Sequence, residues 1–193
     1  MCGRFVLSNF TDVKGFHNVL IEPSYNIAPS HCTLILNQEM RPDFLEWGYS
    51  PIWAKKPMNL INAKYESLDI KPSFKDYETC VFVADGWFEW QKNSRGEKHP
   101  IFIHADNEIF YFAGIKNASG AAIVTIDAHP SLANIHYRQP MFLDRQEIFH
   151  WLANRQRISS SNLLENIKSH PVSKYVNSPI NNDQRCILET DLE

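Results

Sequence analysis

The chain has 193 residues, 44% of them hydrophobic and 21% charged, with a formal net charge of −3. That length suits one domain with a buried core, and the charge balance excludes capture of a polyanion by bulk electrostatics, so such a partner needs a local cluster of Lys and Arg. No apolar run approaches the ~18 residues of a membrane span, the start is no secretory leader, and the 4 Cys are scattered without a C-x-x-C pair. These features point to a cytoplasmic protein with reduced thiols and no membrane partner.

A first strand is expected over residues 2–7. Ser8, Asn9, Thr11 and Asp12 then offer caps for a short amphipathic helix ending near Val19. Tyr25-Asn26-Ile27-Ala28-Pro29 reads as extended or turn, because Ala28 precedes a proline. A buried strand over 32–36 and a turn over 37–40 lead to a second strand over 44–48. An irregular loop over 49–60 holds Trp53 between Pro51 and Pro57 and leads into 61–68. The strand 80–84 runs into Asp85-Gly86-Trp87-Phe88-Glu89-Trp90, and 93–96 is a turn. Three more strands fall at 101–104, 109–114 and 121–126. Asp144 opens a helix over 145–154, with Ile148, Trp151 and Leu152 at helical spacing. A second short helix starts at Ser160-Ser161 and includes Leu163, Leu164 and Ile167. Residues 189–193 read as a frayed acidic end to a tail that is irregular from about 180. Many short strands with helices at intervals give a single α+β domain over 1–193 rather than alternating βαβ units.

Cys2 follows an initiator methionine of the kind that methionine aminopeptidase removes before small residues, so the mature chain is expected to begin with it. An N-terminal cysteine sets an α-amine of pKa about 7.7–8.0 beside a thiol of about 8.5. The amine can form a Schiff base with an aldehyde and the thiol can close that imine to a thiazolidine. The same pair can act as an amine-activated nucleophile. The plain alternative is a small hydrophobe opening a strand. The other cysteines, Cys32, Cys80 and Cys186, read as buried filler, and a zinc site built from cysteines and histidines lacks ligand spacing.

Polar residues also sit where a core does not ask for them. Asn62 lies between Ile61 and Ala63, and Glu89 lies between Phe88 and Trp90. A carboxyl among aromatics either finds a partner or has its pKa raised, as a general acid near neutrality requires. His136 and Arg138 form H-x-R and share a face if extended. A capping Asn, a salt-bridged Glu and a surface His are the plain alternatives. Arg4, Lys64 and Arg138 form the local electropositive set, with Trp53 and Trp90 as candidate stacking platforms for single-stranded nucleic acid.

Eight motifs in order carry a resemblance across nearly the whole chain. They are M-C-G-R-F from Met1, Y-N-I-A-P from Tyr25, W-G-Y-S-P-I-W from Trp47, I-N-A-K-Y-E-S from Ile61, A-D-G-W-F-E-W from Ala84, F-A-G-I from Phe112, I-H-Y-R-Q-P from Ile135 and V-S-K-Y-V-N from Val172. Together they resemble the SOS response-associated peptidase family of abasic-site processing proteins. The resemblance implies twisted, mostly antiparallel β-sheets forming a barrel-like core with peripheral helices. It implies capture of abasic sites in single-stranded DNA as a covalent thiazolidine, with AP-lyase and crosslink-reversal chemistry; the residues themselves point to nothing beyond a monomer and call for no cofactor or metal. It implies Cys2 as nucleophile and crosslinking residue, Asn62 as its orienting residue, Glu89 as acid/base and His136 as a proton-transfer aid at the sugar and its 3′ phosphate. Arg4, Lys64 and Arg138 match phosphate-contacting positions, and Trp53, Trp90 and Pro29 match positions that stack on or wedge the neighbouring bases. Lys64 stands where the family usually has arginine, a point charge in place of a bidentate fork, and Gln139 stands where methionine is common. The competing readings are a cysteine peptidase, a non-covalent single-strand binding module and a metal-dependent hydrolase.

Overall fold

Alternating side-chain direction along the aromatic stretch 86–90, buried on both faces up to Glu89, sets how two β-sheets face each other. A computed structural model describes residues 2–9, 22–106, 108–156 and 166–191. The helix expected before Val19 lies outside these residues, as does the one expected from Ser160 except for Ile167. The described strands are β1 (Arg4–Leu7), β2 (Ser24–Ile27), β3 (Cys32–Leu36), β4 (Pro42–Glu46), β5 (Asn62–Lys64), β6 (Glu78–Ala84), β7 (Gly86–Lys92), β8 (Lys98–His104), β9 (Phe110–Asn117), β10 (Gly120–Asp127), β11 (Arg138–Pro140) and β12 (Lys168–Pro171). One α-helix, α1 (Arg145–Asn154), accompanies them.

A 5-stranded sheet runs β12-β8-β7-β1-β2 and a 7-stranded sheet runs β11-β10-β9-β6-β3-β4, with β5 added in parallel on β10. The other paired strands are antiparallel. The domain is α+β, but neither sheet closes on itself, so the core lies between open sheets rather than inside a barrel. Side chains alternate across β7. Trp87 points between the sheets, edge-on to Phe110 and Phe112 at 5.6 and 5.9 Å, while Phe88 points outward against Val6 and Phe102. Phe5 joins the inner layer through Trp47 and Phe82, at 5.1 and 6.2 Å. Burying such rings contributes about 2–3 kcal/mol each.

The outer face of the smaller sheet is covered by the C-terminal segment, through Val172, Val176 and Cys186. That segment is pinned rather than frayed up to its last described residues. Asn182 Oδ1 accepts from the Tyr25 and Asn26 backbones at 2.7 and 3.1 Å, and Thr190 N donates to Pro171 O at 3.0 Å. Composition alone hides this, because the ties are made by side-chain amides and main chain, not by an apolar run. On the other sheet, α1 starts in a capping box between Asp144 and Glu147. Its Trp151 Nε1 donates to the carbonyls of Cys80 and Gly114 at 3.0 and 3.2 Å.

β11 and β12 were not foreseeable as strands from their residues, since each contains proline and little apolar content. Both lie at sheet edges, where a missing N–H costs least. Cys32 corrects the expectation of buried filler: it is the exposed first residue of β3, whereas Cys80 and Cys186 are fully buried.

The turn between β9 and β10 fixes the strand that carries β5. Gly120 has φ +142°, and a Cβ there would lie 2.5 Å from Gly48 O and 2.7 Å from Glu46 O. Main-chain oxygens cannot swing aside, so Gly120→Ala is expected to cost about 2–3 kcal/mol, a Tm drop of roughly 5–10 °C in a thermal melt. Gly96→Ala, also at positive φ but with nothing within 4 Å of the added Cβ, should cost about 1 kcal/mol.

Candidate functional site at the seam of the two sheets

Glu89 lies two residues beyond Trp87 on β7, and the period of two turns its carboxyl into the same apolar seam. It is 3% exposed. Desolvation pushes its pKa from the ordinary 4.5 up to about 7, and the positive charge of the chain's amino terminus opposes that rise. A carboxyl poised there can both donate and accept a proton at neutral pH.

Cys2 leads into β1, which pairs with β7 in the register Arg4↔Phe88 and Phe5↔Trp87. This brings the start of the chain to the level of Glu89. Cys2 is fully buried, its Sγ donates to Arg4 O at 3.6 Å, and its carbonyl accepts from Asn62 Nδ2 at 2.8 Å. Burial pushes the thiol well above its ordinary range, and the nearby Glu89 charge pushes it the same way. The thiol is therefore neutral at pH 7.

Asn62 opens β5 from the opposite sheet, in register with Ile123. Its Nδ2 is committed to Cys2, while Oδ1 is buried with no hydrogen-bond partner among the described residues. An orphaned acceptor in a desolvated place is costly unless a donor arrives. His136 sits in the turn before β11. Its Nδ1 lies 3.0 Å from the backbone N of Arg138 and 3.1 Å from the Arg138 carbonyl oxygen, so the main chain of Arg138 fixes the plane of the ring. Burial and then the amino-terminal charge lower its pKa, so the ring is neutral at pH 7. Glu89 and His136 line one narrow cleft with Trp87, Arg138 and Gln139.

The four catalytic candidates thus converge: Cys2 and Glu89 from the smaller sheet, Asn62 and His136 from the larger. The six DNA-contact candidates are more dispersed. Arg4 is half-buried, with Nη1 donating to Gly3 O at 3.0 Å and Nη2 to Asn177 O at 3.3 Å. Trp90, also half-buried, donates from Nε1 to Asn177 Oδ1 at 2.8 Å, so one residue holds both. Lys64 is exposed at the end of β5. Trp53 is 59% exposed on the 49–60 loop, with Nε1 donating to Pro72 O at 3.3 Å. Pro29 is half-buried in the turn after β2. Arg138 departs from expectation: H-x-R is not an extended pair, because β11 begins only at Arg138, whose side chain is buried against Glu66 and Asp127.

Sequence reasoning passed over Asn177 and Asn26. Asn26 is fully buried in β2 and its Nδ2 donates to the carbonyls of Val176, Ser178 and Asn181 at 3.0, 3.0 and 2.8 Å, fixing the loop that carries Asn177. The signal that singled out Asn62, an amide inside an apolar strand, is present at Asn26 too. Among the described residues no group of three or more His, Cys, Asp or Glu side chains is arranged to hold a metal ion, and no helix is long and apolar enough to cross a membrane.

Fold and seam together define a single-domain α+β protein whose chain start is folded into its own candidate active site. Over residues 1–179 the chain matches the family described as SOS response associated peptidase (SRAP), and it belongs to that family. It is 32% identical to the abasic site processing protein YedK of Escherichia coli (strain K12), across 97% of this chain and 99% of that protein. It is 31% identical to the abasic site processing protein YoqW of Bacillus subtilis (strain 168), over the same shares of 97% and 99%. A solved structure of a protein from Bacteroides thetaiotaomicron shares the fold with a TM-score of 0.69 at 21% identity, covering 95% of this chain and 92% of that one.

The raised pKa of Glu89 has a measurable consequence for stability. Its folded value near 7 exceeds its unfolded value near 4.5, so the folded state binds more protons between those limits and loses stability as pH rises through them. Glu89→Gln removes the buried charge. It should leave stability nearly unchanged at pH 4 and raise it by up to about 3 kcal/mol at pH 8, read by urea melts at the two pH values. A loss of stability at pH 8 contradicts the account.

Proposed function

We propose that this protein captures abasic sites in single-stranded DNA through a covalent bond to Cys2 and can cleave the strand beside the lesion. The observation that carries the reading is Glu89, poised near pH 7 against a cysteine whose carbonyl Asn62 holds. The names of the relatives supply the substrate class.

Removal of Met1 places the α-amine on Cys2 itself. That amine adds to the C1′ aldehyde of the ring-opened abasic sugar, and the carbinolamine loses water as the carboxylic acid form of Glu89 protonates its hydroxyl. The orphaned Oδ1 of Asn62 accepts from the amine and orients it. The thiol then adds across the C=N bond, sulfur to carbon and hydrogen to nitrogen, closing a thiazolidine with net loss of one water. A thiol held neutral by burial suits this order, since the amine, not a thiolate, makes the first bond. Reversal is the same path with Glu89 returning the proton. In the lyase branch the iminium loses a C2′ proton to the Glu89 carboxylate while the C3′–O bond breaks, and the Nε2–H of His136 donates to the departing phosphate. Lys64 and Arg4 supply the positive charge for the strand, and Trp53 and Trp90 offer faces for its bases. A cysteine peptidase needs a lowered thiol pKa, and burial and Glu89 drive this one the other way.

The test mixes protein lacking Met1 with a single strand carrying one abasic site, beside an undamaged strand, and reads a denaturing gel and intact mass. A denaturation-stable band, confined to abasic DNA and abolished by Cys2→Ser while non-covalent binding persists, is expected. An adduct that survives Cys2→Ser, or none from fully processed protein, rules the mechanism out.

A further inference from the structure

The donors of Arg138 are almost all committed inside the protein. Nη1 donates to Glu66 Oε1 at 3.1 Å and Asp127 Oδ1 at 2.6 Å. Nη2 donates to Glu66 Oε2 at 2.9 Å and Thr125 O at 2.5 Å. Those bonds account for every Nη hydrogen of a guanidinium. Its Nε is buried with no partner among the described residues, and the side chain is 4% exposed. One guanidinium faces two carboxylates, so its positive charge is already neutralised before a phosphate arrives. The planar two-pronged contact that arginine offers a phosphate is already filled by the carboxylate of Glu66. Lys64, exposed two residues before Glu66, acts on that carboxylate only through space.

What the cluster does hold is the ring beside it. The N–H of Arg138 supports His136 Nδ1, and its guanidinium fastens the first residue of β11 to Thr125 and Asp127 of β10 and to the 3-10 turn Tyr65–Ser67, directly after β5. We propose that Arg138 contacts no DNA phosphate but positions His136, and that Glu66 is the positioning residue that locks it there. The proposal rests on the abasic-site reading and refines the division of labour within that site.

Binding alone is measured with a single strand carrying a tetrahydrofuran abasic analogue, which has no aldehyde. Glu66→Gln/Arg138→Gln removes the guanidinium without leaving the Glu66 charge unpaired, and Asp127, 87% exposed, stays solvated. The slope of log Kd against log salt should match the parent's in this double variant, whereas Lys64→Ala should lower it by about 0.7, the value of one single-strand phosphate contact. A slope lowered by about 0.7 in the double variant assigns Arg138 to a phosphate and overturns the proposal. Glu66→Gln alone should leave Kd within about 2-fold and slow strand cleavage at saturating abasic DNA about 10-fold, with Glu66→Asp recovering part of the rate; an unchanged rate overturns the role of Glu66. Two measurements do not depend on the double variant folding or on the reaction. The NMR titration midpoint of His136 in DNA-free protein should move in Glu66→Gln, and no movement contradicts the proposal. The arginine Nη signals assigned to Arg138 in unmutated protein should stay in place when the analogue strand binds, and a shift contradicts it. If unmutated protein makes no adduct, the abasic-site reading falls, while these signals still decide the place of Arg138.

Discussion

A carboxyl group turned into the apolar seam between two sheets is the constraint around which this protein is arranged. Desolvating a charged carboxylate costs several kcal/mol, and a protein evades that cost by pairing the group or by keeping it protonated. Glu89 follows both courses in part: its pKa sits near 7, and the positive charge of the amino terminus lies against it. Its place is fixed from both sides. β7 supplies the alternation that turns Trp87 and Glu89 inward, and β1 brings the start of the chain alongside. Asn62 then crosses from the larger sheet to hold the carbonyl of Cys2. The seam is thus closed by a hydrogen bond between sheets, and Glu89 and Cys2 are buried in one step.

The ring of supports around that seam is made of amides and backbone on one side and a buried arginine with two carboxylates on the other. Asn26 fixes the loop of Asn177, and Asn177 ties together Arg4 and Trp90. On the other side Glu66 and Asp127 hold Arg138, whose backbone supports His136. The links made by Asn26, Asn177 and Glu66 each span 72 residues or more of chain, so the site exists only once both sheets have formed. Rigid support of this kind is what holds reacting groups in a productive geometry.

Much of this could be read from the residues. The strands of apolar and aromatic residues announce themselves, and α1 was legible because Asp144 and the Ile148–Trp151–Leu152 spacing agree. Asn62, Glu89 and His136 could be singled out because a polar residue in apolar company needs a reason. The edge strands β11 and β12 could not, since prolines and polar side chains conceal pairing that rests on main chain alone. Nor could the fate of Arg138: an arginine in H-x-R looks the same whether it faces a phosphate or two carboxylates supplied by residues 66 and 127. The expected barrel-like core holds only loosely for a related reason, because closure depends on which edges pair, and the edges here stay open.

The most direct test of the account is the pH dependence of single-turnover adduct formation on abasic single-stranded DNA, measured for the protein and for Glu89→Gln. The account predicts a limb with its midpoint near pH 7 that disappears in the variant. A limb in the ordinary carboxylate range near 4.5, or the same profile in both proteins, would contradict the placing of Glu89 at the centre of the chemistry.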